Sequence, residues 1–216
     1  VDARNRNWTK VSELVFFIAE INDIFSSTCS HSATDITQLA EAMKTAAPVA
    51  KTAGVPLEET AAAFGTLANI GIRGSDAGTG IKQILLGVAK GEFFKRSAEA
   101  LRTYGIQVDE LSLKQEGLLA TLKRFKEAGM GQSEVALMKV FGQYGAPRAM
   151  ALINNIDQMA ELTTTLYNSE GENQRMFEQS LGRTSTAIMT LKSTWENFML
   201  TIYDSTESIY VTPVEM

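Results

Sequence analysis

One thiol and one imidazole raise the first chemical question. The chain of 216 residues has one cysteine and one histidine, and they stand two apart, Cys29 and His31, in the polar run SSTCSHSATD. A thiolate beside an imidazole can attack a carbonyl carbon, and both groups ligate zinc. A nucleophilic dyad needs facing side chains oriented by a third group, and zinc needs about four donors. With no second cysteine or histidine to complete either arrangement, the run reads as a loop ending in a helix cap. No catalytic residue and no metal ligand is assigned, and a single cysteine cannot form an intrachain disulfide. Adjacent Glu58 and Glu59 diverge by about 100° on a helix, so they suit the positive end of a helix dipole rather than one acid–base site.

Glycines supply the next candidate chemistry. A Gly-rich turn before a helix can hold phosphate on exposed backbone donors, and Gly71 to Gly80 is such a stretch. A phosphate-binding loop ends in Gly-Lys-Ser or Gly-Lys-Thr, whereas Gly80 is followed by Ile81, Lys82 and Gln83, and a dinucleotide turn follows a strand. No cofactor is assigned. Gly71, Gly74 and Gly78 instead read as a structural hinge that permits a tight reversal and close helix packing.

These residues are positioned by helices. Apolar residues make up 44% of the chain, enough for a sizeable core, and the net charge of −5 argues against a dedicated nucleic-acid surface. The longest purely apolar run, Leu14 to Ala19, falls short of the roughly 20 residues that cross a bilayer, and no signal-peptide pattern opens the chain. A chain that begins at Val1 and stops at Met216 is expected to be a segment excised from something longer. Proline occurs only at positions 48, 56, 147 and 213, which leaves backbone donors free for long helical stretches.

Val11, Leu14, Ile18, Ile21 and Phe25 share one helical face. Asp35 with Gln38 predicts an N-cap and capping box, opening a helix that turns Ile36, Leu39, Ala40, Met43 and Ala47 inward and is kinked or ended by Pro48. Gly54, Pro56 and the two glutamates predict the next start, for a helix burying Leu57, Ala61, Phe64 and Ala68. Gly71 closes it, Ser75 or Asp76 caps its successor, and Ile81, Ile84, Leu85 and Val88 line that successor, the pair forming a short hairpin. Ser97 to Tyr104 repeats the pattern, with Gly105 as terminator. Leu118, Leu119, Leu122 and Phe125 restore helical spacing. Ser133 opens a short helix bearing Leu137, Val140 and Phe141, and Pro147 starts another. Ile106 to Val108 is the one stretch short and alternating enough for a strand, so a sheet is not expected.

From Phe177 the pattern changes. Phe177, Leu181, Thr184, Ile188, Leu191, Trp195, Phe198, Ile202 and Ile209 fall at a/d positions, with Ser205 as the polar member, which predicts one long coiled-coil-like helix. The fold class is therefore all-α, a cluster of short helices followed by a long heptad-patterned C-terminal helix. Three parts are expected: residues 1–33 as an amphipathic helix and polar loop, 34–170 as a compact helical core, and 171–216 as the long helix. Leu181, Ile188, Leu191, Trp195, Phe198 and Ile202 form the candidate seam for self-association or a partner.

The stretch from Thr34 to Gly80 also carries a family pattern. A TD start, an LAEAM helix running into AAPVAK, the GVPLEETA helix and the GIRGSDAGT turn resemble the core of phage tail tape measure proteins. The likeness continues more loosely through FGQYGAPRAMALINN and the long TLKSTWENF helix, and the first thirty residues add no family pattern. It implies a structural protein and no enzyme: the parent sets tail length and helps nucleate the tail tube, with this segment anchoring or initiating. The implied partners are its own copies, tail tube and tail-tip or hub subunits, and assembly chaperones. The implied place is the virion tail lumen, and the host cytoplasm during assembly. Specific nucleic acid and membrane are not implied. A soluble helical adaptor that binds a partner helix in an apolar groove is the alternative.

Overall fold

Caps and glycines cut this chain into helices. The computed structural model describes residues 18–90 and 95–180, with residue 110 and residues 177–180 described by backbone alone. Helix α1 occupies residues 18–31. It is followed by α2 (Ile36–Ala53), α3 (Leu57–Asn69), α4 (Gly74–Ala89), α5 (Lys95–Thr103) and α6 (Glu110–Glu127). A short 3-10 turn (Met130–Gln132) leads to α7 (Glu134–Asn154), α8 (Ile156–Tyr167) and α9 (Glu172–Ser180). No strand occurs among the described residues, so the fold is all-α. Ile106 and Val108, the candidate strand, are buried in the link between α5 and α6. Of the long heptad helix expected over 171–216, α9 is described, and everything from residue 181 falls outside the described residues. Two compact units divide the chain, Val1–Asn173 and Gln174–Met216.

Local chemistry explains the helix ends. Asp35 accepts the Gln38 N–H at 2.9 Å and starts α2. The Gln38 side-chain oxygen is buried without a partner, so the cap forms without the reciprocal half of the box. A full box appears instead at Asp109 and Ser112, ahead of α6. Gly54 ends α2 in the left-handed conformation, φ 72°. At the end of α3 the Gly71 N–H reaches the Ala68 carbonyl, and the Ile72 N–H reaches Leu67.

Several expectations change. Pro48 neither ends nor interrupts α2, which runs on to Ala53. The buried face of α2 is Leu39, Ala42, Met43, Ala46, Ala50 and Ala53, leaving Ile36, Ala40 and Ala47 half-buried. Ser75 and Asp76 do not cap α4, since Arg73 takes the N-cap position and α4 begins at Gly74. That helix packs chiefly against α2 and α7, less against α3, so α3 and α4 are not a self-contained hairpin. Ser133 opens a helix that breaks at Gly142, just past Leu137, Val140 and Phe141, and Pro147 lies inside the part beyond the break, not at its start. The polar run SSTCSHSATD is not all loop, because residues 26–31 continue α1. Its hydroxyls turn back on the helix: Thr28 donates to the Ile24 carbonyl at 2.7 Å and Ser30 to Ser26 at 2.9 Å. That satisfaction lets Thr28 lie buried.

Helix α3 is the centre of the first unit. Every residue from Glu59 to Ala68 is buried, and α2, α4, α6, α7 and α8 all touch it. A helix buried all round needs small side chains where neighbours approach. Ala61, Ala62 and Ala63, each fully buried, provide them.

Candidate functional site

Two carboxylates form the polar joints of the first unit. Helix α6 is broken at Gly117, whose φ of 79° and ψ of 179° are a glycine conformation. Beyond the break, the Leu118 and Leu119 N–H groups donate to Glu59 Oε2 at 2.6 Å and 3.0 Å. In an unbroken helix those donors would bond the carbonyls four residues back. Glu59 replaces these carbonyls from α3, and it is only 8% exposed. A Cβ on Gly117 would lie 2.5 Å from Glu59 Oε1, so no side chain fits there without displacing the carboxylate. Glu59 thus stands in the first turn of its own helix, as Glu58 does, and also caps the second half of α6.

Helix α7 is broken in the same way at Gly142, φ 72° and ψ 178°. Here nothing beyond the adjoining chain of its own helix lies within 4 Å of the Cβ position. Just beyond the break, Tyr144 is 68% exposed.

The second joint is Asp23 on α1, which accepts the Gly171 N–H at 3.0 Å and the Asn173 N–H at 2.9 Å. Ser26 Oγ donates to Asn173 Oδ1 at 3.3 Å and Ser30 Oγ to Glu172 Oε1 at 3.4 Å. The start of α9 is therefore capped from α1.

The three glycines of the candidate hinge occupy different situations. Gly71 is exposed with φ 89° and has open space around its Cβ position. Gly74 has φ 56°, and its Cβ position lies 2.9 Å from Glu41 Oε2. Gly78 is buried within α4, where a Cβ would meet the Ala42 carbonyl oxygen at 2.5 Å. The residue that lets α4 approach α2 most closely is therefore Gly78. Asp76, in the first turn of α4, forms an ion pair with Arg148 of α7. The seam residues Leu181, Ile188, Leu191, Trp195, Phe198 and Ile202 lie outside the described residues.

Among the described residues, the thiol, the imidazole and one cleft offer no reactive group. Burial, and secondarily the Asp35 charge, pushes the Cys29 thiol up to about 12, so the thiol stays protonated near neutral pH. The His31 Nδ1–H donates to the Ser27 carbonyl at 2.8 Å. Among the described residues no group of three or more His, Cys, Asp or Glu could hold a metal. A cleft of about 350 Å³ is lined by Gln107, Asp109, Ser112, Glu116 and Arg124, among others. Arg124 bonds Glu116 and the Gln107 carbonyl, and Asp109 caps α6. Its charges thus hold the fold together.

Sequence reasoning missed Asp23, Glu59, Gly117 and Gly142. The two glycines interrupt helical patterns, which is a usable signal for a break. The two carboxylates leave no local trace, because their partners stand 59 to 150 residues away.

Residues 7–143 match the family model of the phage-related minor tail protein. The chain belongs to that family. The match starts within the first thirty residues, which the sequence motifs had left without a family pattern, and ends beside the Gly142 break. Two curated relatives agree with it. A tape measure protein of Pneumococcus phage Dp-1 is 27% identical over 187 residues, 84% of this chain and 16% of the relative. A probable tape measure protein of Escherichia phage P2 is 30% identical over 165 residues, 72% of this chain and 20% of the relative. The chain thus spans a fifth or less of the length of these relatives. No solved structure matches it. Family membership makes the chain a phage tail component of the tape measure type, part of the virion. Among the described residues no helix is long and apolar enough to cross a membrane.

Proposed function

We propose that this chain is the anchoring or initiating segment of a tape measure protein, which sets tail length and helps nucleate the tail tube. The observation that carries this reading is the match of two tape measure relatives over 84% and 72% of the chain. In this reading the unit built around α3 docks on tail-tip or hub subunits, tube subunits or assembly chaperones. The segment past Gly171 leads into the extended part, whose seam of Leu181, Ile188, Leu191, Trp195, Phe198 and Ile202 meets copies of the same chain. The Gly71 and Gly74 turn, with Gly78 against α2, sets the docking surface of α4. The protein acts in the host cytoplasm during assembly and then in the tail lumen, without bond chemistry or cofactor.

Deleting residues 34–108 in the phage gene tests this. The expected result under electron microscopy is loss of tails. Normal tails of normal length would remove the anchoring role.

A further inference from the structure

The Asp23 joint fixes where the chain leaves the first unit. Its carboxylate oxygens each take one backbone donor, from Gly171 and Asn173, and those partners lie 148 and 150 residues further along the chain. Ser26 and Ser30, on the next two turns of α1, add side-chain contacts to Asn173 and Glu172. A carboxylate that caps a helix start from another helix holds that start in place through donors with no intrahelical partner. The outgoing chain therefore returns to the helix by which it entered.

We infer that Asp23 closes residues 24–170 into a lobe standing beside the path of the parent chain, adding nothing to the length that path spans. The inference rests on the ruler reading proposed above. Its magnitude is large. Drawn out as one helix, the separation of 148 positions from Asp23 to Gly171 would cover about 220 Å; closed by the joint, entry and exit lie within hydrogen-bond reach. The lobe has its own core around α3, as a closed excursion must.

The test is an insertion of 21 helix-forming residues in the exposed turn at Gly71, made in the phage gene and read as tail length. A lobe outside the path leaves tail length unchanged. Tails longer by about 32 Å, the rise of those residues, overturn the inference. If no tails form, spin labels at the exposed Glu20 and Glu170 of the purified chain decide. The same separation with and without the insertion supports the closed lobe, and a separation increased by tens of ångströms overturns it. Asp23→Ala broadens that separation; an unchanged distribution removes Asp23 from the role. A matched insertion after Ile209 keeps the two readings apart. If it too leaves tails unchanged, the ruler reading fails, while the label pair still decides the lobe.

Discussion

Glu59 illustrates how one side chain can hold a helix break open. Two backbone donors depend on its carboxylate in a buried setting, and leaving such donors unpaired costs about 2–3 kcal/mol. Glu59→Ala should lower stability by that amount, seen as a lower urea midpoint. Gly117 and Gly142 sharpen the comparison, since they share nearly the same backbone conformation. Alanine at either incurs about 1–3 kcal/mol of strain, but only at Gly117 does the new Cβ collide with the cap. Gly117→Ala should therefore be the more damaging, and equal losses would show that the carboxylate contact contributes nothing. The glycine breaks leave a signal in the helical pattern, but the carboxylate that meets one of them does not. The sequence reads Glu58 and Glu59 as dipole partners of α3, a local rule that places Glu59 in the first turn but carries no sign of the two donors that α6 presents to it.

At the scale of elements, more was legible. Asp35, Gly54 and Gly71 mark real helix ends because capping is local chemistry, and the Ile81, Ile84, Leu85 and Val88 stripe is fully buried. What periodicity could not give was the number of neighbours. It assigns one inward face, whereas α3 is surrounded and the inward face of α2 is rotated by its contact with α4. That contact depends on Gly78. Gly78→Ala drives a Cβ into backbone at Ala42 and should cost about 1–3 kcal/mol through overpacking, measured by thermal unfolding; a neutral result would mean α2 and α4 slide apart freely.

The start of α6 carries a pH signature. Bonds from Ser112, its backbone N–H first, hold the Asp109 carboxyl below its ordinary value of 3.8. A carboxyl depressed in the folded state stabilises the fold above its unfolded pKa and loses that contribution as pH falls through its folded value. Asp109→Ala should thus weaken the protein at neutral pH and converge with the parent as pH falls through the depressed folded value of that carboxyl. A stability difference that persists unchanged in acid would assign the effect to packing.

On the scale of the whole molecule, the chain combines a closed helical unit with a C-terminal segment whose heptad pattern is readable only in sequence. Family and fold class were legible together, since the same Gly and Pro punctuation that sets helix ends from Gly54 to Gly80 also carries the family likeness. The long-range joints at Asp23 and Glu59 were not, because they exist only once the helices have packed. In the function proposed above, the path of a length-setting protein runs through the segment beyond the lobe. The measurement that tests it most directly is tail length after inserting 21 residues that preserve the seam following Ile209. Tails longer by about 32 Å are expected; tails of unchanged length would take the segment off the measured path.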